Sequence, residues 1–147
     1  MPLPRNTIEL GLPAVVMHPW DLLRGLDVFA DRSKLEDDLS SATVVHWAPN
    51  CATFSRAREI PVPGAKCAPV PLRNEAHPEG IPGMKLSLRS RSRLELDTDM
   101  ANLSADKCVE FHVQGKLFSL EHTGRSLALH LPSWKRLMAM PGVIVLV

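Results

Sequence analysis

Short apolar runs alternate with helical patterns through the second half of the chain, and this alternation constrains the fold most. The runs ATVVHWA (42–48), KLFSLEH (116–122) and VIVLV (143–147) predict strands, and the segments between them carry helix signals. ATVVHWA is almost entirely apolar, which is typical of a strand that is covered on both faces. The alternation therefore predicts an α/β fold with a parallel sheet that is flanked by helices.

Other elements are predicted from turn and capping signals. Ser-x-x-Glu capping boxes at Ser33 and Ser92 predict a short helix to about Leu39 and the longest helix, to about Gln114. Ser133 is expected to cap a third helix over WKRLMAM. The apolar runs at 13–19 and 25–29 are expected to form two more short strands.

Length and composition indicate a single domain over residues 1–147, because 147 residues suit one ordinary core. Its segment 59–90 is rich in proline, shows no helical or strand period, and is expected to form a long loop. The formal net charge of +1 gives no whole-molecule field that would attract nucleic acid. Three cysteines without C-x-x-C spacing, no secretory signal and no long apolar run predict a cytoplasmic or nuclear protein without a membrane segment.

Two polar clusters follow neighbouring predicted strands. In parallel sheets, ligands bind at the carboxyl edge of the strands, so both clusters should face one crevice. A thiol beside guanidinium groups is a candidate nucleophile, but a cysteine is also often a plain core residue. The carboxylate of the second cluster could likewise serve only its own turn. The clusters are Asn50 and Cys51 with Ser55, Arg56 and Arg58, and Glu121 and His122 with Arg125 and Ser126.

The clusters also resemble known motifs. APNCATFSRAR is similar to the Pro-Cys motif P-P-C-x-x-F-S of cytosine-C5 DNA methyltransferases, and LFSLEHTGRS resembles their Glu-Asn-Pro segment. PLR (71–73), GIPG (80–83) and MPGV (140–143) follow the order and spacing of a methyltransferase-like family found in protist and mobile-element-derived proteins. The resemblance covers about residues 42 to 147.

This resemblance implies a Rossmann-like, S-adenosylmethionine-dependent methyltransferase. Cys51 would add to C6 of a flipped cytosine, and Glu121 would hydrogen-bond its N3. Residues matched to the same segments are expected to bind the substrate, and two acidic residues near the predicted first strands are candidates for the cofactor. The substrate set is Asn50, Ser55, Arg56, Arg58 and Arg125, and the cofactor set is Asp21 and Asp27.

The chain also departs from that family. Asn50 replaces the proline before the cysteine, and Glu121-His122-Thr123 replaces Glu-Asn-Pro. No G-x-G occurs anywhere, so we expect an incomplete methyltransferase fold that lacks the first strand and its glycine-rich turn. Two functions stay open: a methyltransferase that acts on a nucleic-acid base, or a non-catalytic remnant that serves as a small binding module.

The features that could bind a partner are confined to short parts of the sequence. RSRSR (89–93) with Lys85 could contact a nucleic-acid backbone, or could be only a solvated helix start. An uncovered edge of the sheet could support self-association. The cysteines and histidines match no usual zinc-ligand spacing, so no metal site is predicted.

Overall fold

The structure, a computed structural model, describes Trp20 and residues 25–60, 63–64 and 70–146. The chain divides into two compact units, Met1–Ala42 and Thr43–Val147. Over the described residues the fold is mixed α/β, as the alternating pattern predicts. The strand predicted at 13–19 lies outside the described residues. In chain order the elements are α1 (Arg32–Ser41), β1 (Val44–Trp47), a 3₁₀ helix (Arg56–Glu59), α2 (Leu88–Val113), β2 (Leu117–Leu120), a second 3₁₀ helix (Leu127–His130) and α3 (Pro132–Met138).

The first unit contains a turn followed by α1. Residues 25–29 form no strand, so that prediction is wrong: the Asp27 carboxylate accepts hydrogen bonds from the backbone N–H of Phe29 (2.8 Å) and Ala30 (3.2 Å), which closes a turn. The capping box predicted at Ser33 is also wrong. Helix α1 starts after Asp31, so Ser33 already lies within the helix. Leu35 is buried on the helix.

The second unit contains a parallel pair of strands. β1 pairs with β2 in the register Val44↔Leu117 to Trp47↔Leu120. The predicted parallel pairing of these two strands is therefore confirmed. Because both strands run in the same direction and stay in step, the residues that follow Trp47 and Leu120 emerge at the same edge of the sheet.

One face of this sheet packs on α2. Phe118 meets His112 of that helix edge-on, with 6.2 Å between ring centroids. On the opposite face, the register partners Val44 and Leu117 are 59% and 67% exposed. The expectation that β1 is covered on both faces is therefore wrong.

The carboxyl-terminal apolar run does not form the predicted buried strand. Residues 143–146 have no regular structure, and Ile144 and Leu146 are 82% and 91% exposed. A strand requires a neighbour for its backbone groups, and within the described ranges none pairs with this segment.

Helix α2 starts earlier than predicted. Its N-cap is Ser87, whose hydroxyl accepts a hydrogen bond from the Ser90 N–H, so Ser92 lies inside the helix. The end is as expected: Gly115 follows with φ of 70°, the left-handed conformation that favours glycine after a helix. Ala101, Ala105 and Cys108 form a buried stripe along one face of the helix.

Helix α3 is joined to α2 by two hydrogen bonds. Pro132 occupies the first turn, and Ser133 does not cap the helix as predicted but donates to Oδ1 of Asn102 (2.6 Å). The Trp134 indole N–H donates to the Ala101 carbonyl (2.9 Å). These bonds fix α3 against the buried stripe of α2.

A buried polar cluster of Arg73, Thr53 and Asp97 connects the Pro-rich segment, the turn after β1 and α2. Arg73 and Asp97 are each only 1% exposed. The Thr53 hydroxyl donates to Oδ2 of Asp97 (2.7 Å) and accepts from Nη2 of Arg73 (3.0 Å). Burial lowers the pKa of Arg73 to about 10, partly offset by Asp97, so the guanidinium stays charged at neutral pH.

Arg73 has further partners that occupy its remaining donors. Its Nη1 donates to the Pro78 carbonyl (2.6 Å) and its Nη2 to the Leu94 carbonyl (2.8 Å). The guanidinium also lies 3.8 Å from the ring centroid of buried Phe54. A buried charge needs such complete pairing, because an unpaired one would be strongly destabilising.

Replacing Arg73 by leucine should lower the free energy of unfolding by about 3–5 kcal/mol, since it removes the buried positive charge beside Asp97 and leaves the Pro78 carbonyl without this donor. Urea denaturation measures this. Arg136→Gln is the control: Arg136 pairs with Asp106 on the surface, so its loss should cost less than about 1 kcal/mol. Equal small losses in both variants would contradict the role of Arg73.

Candidate functional site

The turn after β1 presents Cys51. Its carbonyl accepts from the N–H groups of Phe54 (3.0 Å) and Ser55 (2.9 Å), and the Asn50 side chain accepts from the N–H of Ala52 (3.0 Å). Thr53 anchors the same turn from below through its N–H, 3.3 Å from Oδ2 of Asp97. The thiol of Cys51 is free and half-buried, so the residue is not a fully buried core cysteine.

The segment after β2 presents Glu121. Its backbone N–H donates to the Trp47 carbonyl (2.8 Å), which extends the strand pairing by one residue. The carboxylate is exposed, and its Oε2 lies 3.7 Å from Nε2 of His46. His46 in turn shares a hydrogen bond of 2.8 Å with the Ser119 hydroxyl, so the imidazole is held beside the carboxylate.

Cys51 and Glu121 line one depression. It is an open concavity of about 380 Å³ at the carboxyl edge of the two strands. The parallel register explains this arrangement, because it brings both turns to the same edge. The lining residues are Ala48, Pro49, Asn50, Cys51, Glu121, His122 and Thr123.

His122, which belongs to the second polar cluster but has no role predicted from the sequence, also lines this depression. Its ring lies edge-on to Phe54 (5.8 Å between centroids) and to Trp134 (5.3 Å). Burial lowers its pKa below the ordinary 6.5, although Asp97 opposes this shift. Its Nε2 is buried and has no hydrogen-bond partner among the described residues. The imidazole is therefore neutral at pH 7.

Two of the three predicted arginines, Arg56 and Arg125, line a second depression of about 520 Å³. Arg56 contacts the carboxylates of Glu59 (3.4 Å) and Glu75, and the hydrogen bond with Glu75 raises its pKa further. Its Nε donates to the Arg125 carbonyl (3.2 Å), which helps to hold Arg125 at its unusual φ of 58°. The lining residues are Arg56, Glu59, Glu75, Arg125, Ser126, Leu129 and His130.

The other predicted substrate residues have local roles. The Ser55 hydroxyl caps the first 3₁₀ helix by accepting from the Ala57 N–H (3.2 Å), and Arg58 is half-buried within that helix. Neither residue lines the depression that contains Cys51. The structure therefore separates the sequence-predicted set into a Cys51–Glu121 group and an Arg56–Arg125 group.

Of the two predicted cofactor residues, Asp21 lies outside the described residues. Oδ1 of Asp27 accepts from the N–H groups of its own turn. The described ranges do not bring three or more His, Cys, Asp or Glu side chains into a group that could hold a metal ion. Within the same ranges, no helix combines the length and the apolarity needed to cross a bilayer.

Comparisons of the chain with protein-family models, with curated proteins and with solved structures find no match.

We expect stability to depend on pH through His122. A lowered folded-state pKa gives stability that is fully present above the unfolded value of about 6.5 and is lost as the pH falls through the folded-state pKa. Urea denaturation at pH 7.5 and 5.0 should show this loss in the wild type and a smaller loss in His122→Phe. The same decrease in both proteins would show that His122 is not its cause.

We expect Cys51 to be alkylated in the folded protein and Cys108 to be protected. Cys108 is fully buried in α2, and burial raises its pKa to about 12, so its thiolate fraction at pH 8 is only about 10⁻⁴. Iodoacetamide labelling followed by peptide mass spectrometry should find Cys108 modified only after unfolding. Labelling of native Cys108 as fast as Cys51 would contradict this arrangement.

Proposed function

We propose that this protein is methyltransferase-like, derived from a nucleic-acid cytosine methyltransferase, and that Cys51 and Glu121 form its base-binding crevice. One observation supports this most: a thiol and a carboxylate follow adjacent parallel strands and line the same depression. A Rossmann-like sheet uses this edge for its ligands. The motif resemblance and the shared depression of Cys51 and Glu121 are separate observations, and both support this function.

The chemistry assigned to Cys51 is addition to a pyrimidine ring. Its Sγ thiolate bonds to C6 of cytosine, and the electron pair of the C5–C6 double bond moves to C5, which takes a proton from water. Loss of the other proton from C5 and departure of the thiolate restore the original ring. In deuterated water, this sequence replaces the C5 hydrogen by deuterium.

The role assigned to Glu121 is to hold the base edge. When N3 of cytosine is protonated, its N–H donates to the Glu121 carboxylate, which stabilises the electron-rich adduct. His46 lies 3.7 Å from that carboxylate and orients it. The neutral ring of His122 lines the same depression and offers a flat surface beside the base.

S-adenosylmethionine does not fit the described residues. Oδ1 of Asp27 accepts from the N–H groups of its own turn, and the glycine-rich turn that would approach the methionine end of the cofactor is absent from the sequence. We therefore assign the chain no methyl-transfer step. The same observation favours the second candidate function, a non-catalytic module that binds cytosine in the crevice.

Deuterium exchange at C5 tests the proposal without any cofactor. A single-stranded, cytosine-containing oligonucleotide is incubated with the protein in deuterated water, digested to nucleosides and analysed by mass spectrometry. We expect exchange with the wild type, background exchange with Cys51→Ser, and a decrease of about 100-fold with Glu121→Gln.

The matched control is Cys108→Ala. It removes a thiol that is buried in α2 and does not line the depression that contains Cys51. It should exchange at the wild-type rate. Wild-type exchange at background would overturn the catalytic proposal, and binding of the oligonucleotide in that case would leave the non-catalytic module.

A further inference from the structure

The amino-terminal end of α2, with the residues just before it, is strongly cationic. The stretch 80–94 contains no acidic residue, and its four cations are Lys85, Arg89, Arg91 and Arg93. All four side chains belong to exposed residues. We call these four residues the cationic end of α2. In a protein of net charge +1, such a local excess is the feature that would attract a polyanion.

Two of these arginines are available for a partner. Among the described residues, no carboxylate lies within ion-pair distance of Arg89 or Arg91, whereas Arg56 and Arg136 both contact acidic side chains. The nearest acid along the helix is Glu95, one turn beyond Arg91. Arginine side chains without an acidic partner can bind phosphate oxygens in bidentate fashion.

The cationic end also adjoins the Cys51 turn. Nε of Arg93 lies 3.4 Å from Oδ1 of Asp97, and Oδ2 of the same carboxylate accepts from the N–H and the hydroxyl of Thr53. The Asp97 carboxylate therefore contacts both Arg93 and the turn that carries the Cys51 thiol. Arg73 reinforces this contact by bonding both Thr53 and the Leu94 carbonyl.

We propose that the cationic end of α2 binds the phosphate backbone of a single-stranded nucleic acid that passes the Cys51 turn. Eight residues of helix separate Arg89 from Asp97, a rise of about 12 Å. That length matches about three stacked nucleotides of one strand. The base-binding role of the crevice rests on the proposed function, whereas the phosphate contacts stand on the helix alone.

A nucleic acid suits this surface better than a lipid surface does. Serines alternate with the arginines at Ser90 and Ser92, and their hydroxyls can donate to phosphate oxygens. Leu88 is the exposed apolar residue of this end, whereas membrane-surface helices need a continuous apolar face. Anionic vesicles are therefore the contrasting probe.

The test compares two double variants that remove the same charge. Arg89→Gln with Arg91→Gln removes two cations of the proposed surface. The control, Lys135→Gln with Arg136→Gln, removes two neighbouring exposed cations from α3. Binding of a fluorescent single-stranded oligonucleotide of about 12 nucleotides is measured by anisotropy between about 50 and 200 mM salt.

We expect the first double variant to reduce the slope of log K against log salt by about 1.4, or about 0.7 for each lost phosphate contact. Its affinity at low salt should fall about ten- to a hundred-fold, while the control keeps the wild-type slope. Circular dichroism confirms that both variants fold. Equal losses in both variants, or wild-type binding to phosphatidylserine vesicles but not to the oligonucleotide, would overturn the proposal.

The two proposals can fail separately. Deuterium exchange at C5 with an unchanged salt slope in the Arg89/Arg91 variant would retain the crevice and remove the cationic end as its phosphate site. A reduced slope without any exchange in the wild type would retain the phosphate site and remove the thiol chemistry.

Discussion

The buried guanidinium of Arg73 is the interaction on which the second unit depends. It connects three segments that are distant in sequence: the turn after β1 through Thr53, the Pro-rich segment through Pro78, and α2 through Leu94. Thr53 uses its single hydroxyl proton for Asp97 and its lone pairs for Arg73, so the cluster has little tolerance for change. Because Cys51 lies two residues before Thr53, the position of the thiol follows from this cluster.

The sequence predicts β1 and β2, but residues 25–29 and 143–146, also predicted to be strands, form none. The short, mainly apolar runs at β1 and β2 favour a strand over other secondary structure. The long connection between the two strands favours a parallel arrangement. The helix starts are harder, since more than one residue near a start could act as the N-cap: Asp31 and Ser33 at α1, and Ser87, Ser90 and Ser92 at α2. Ser87 caps α2 because its hydroxyl reaches the Ser90 N–H while Ser92 is already helical.

The candidate site is likewise predicted only in part from the sequence. The register of two parallel strands is enough to bring Cys51 and Glu121 to one edge, and the sequence predicts that much. The resemblance assigns His122 no role, because this residue replaces the asparagine of the Glu-Asn-Pro motif. Strand alternation carries the better signal: Phe118, Leu120 and His122 share one face, and Phe118 packs on α2. The period of two therefore predicts a buried imidazole there. Arg73 gives no such signal, because a surface arginine and a buried one look alike in sequence.

Charge pairing also revises how the thiol would be activated. The sequence offers Arg56 and Arg58 as the cations beside Cys51, but Arg56 contacts Glu59 and Glu75 and lines the other depression. Two carboxylates beside one guanidinium leave little positive potential for a distant thiolate. Of the exposed arginines of α2, Arg93 contacts Asp97, and none lines the depression that contains Cys51. The described cations of this chain are therefore better placed to hold a polyanion than to activate the nucleophile.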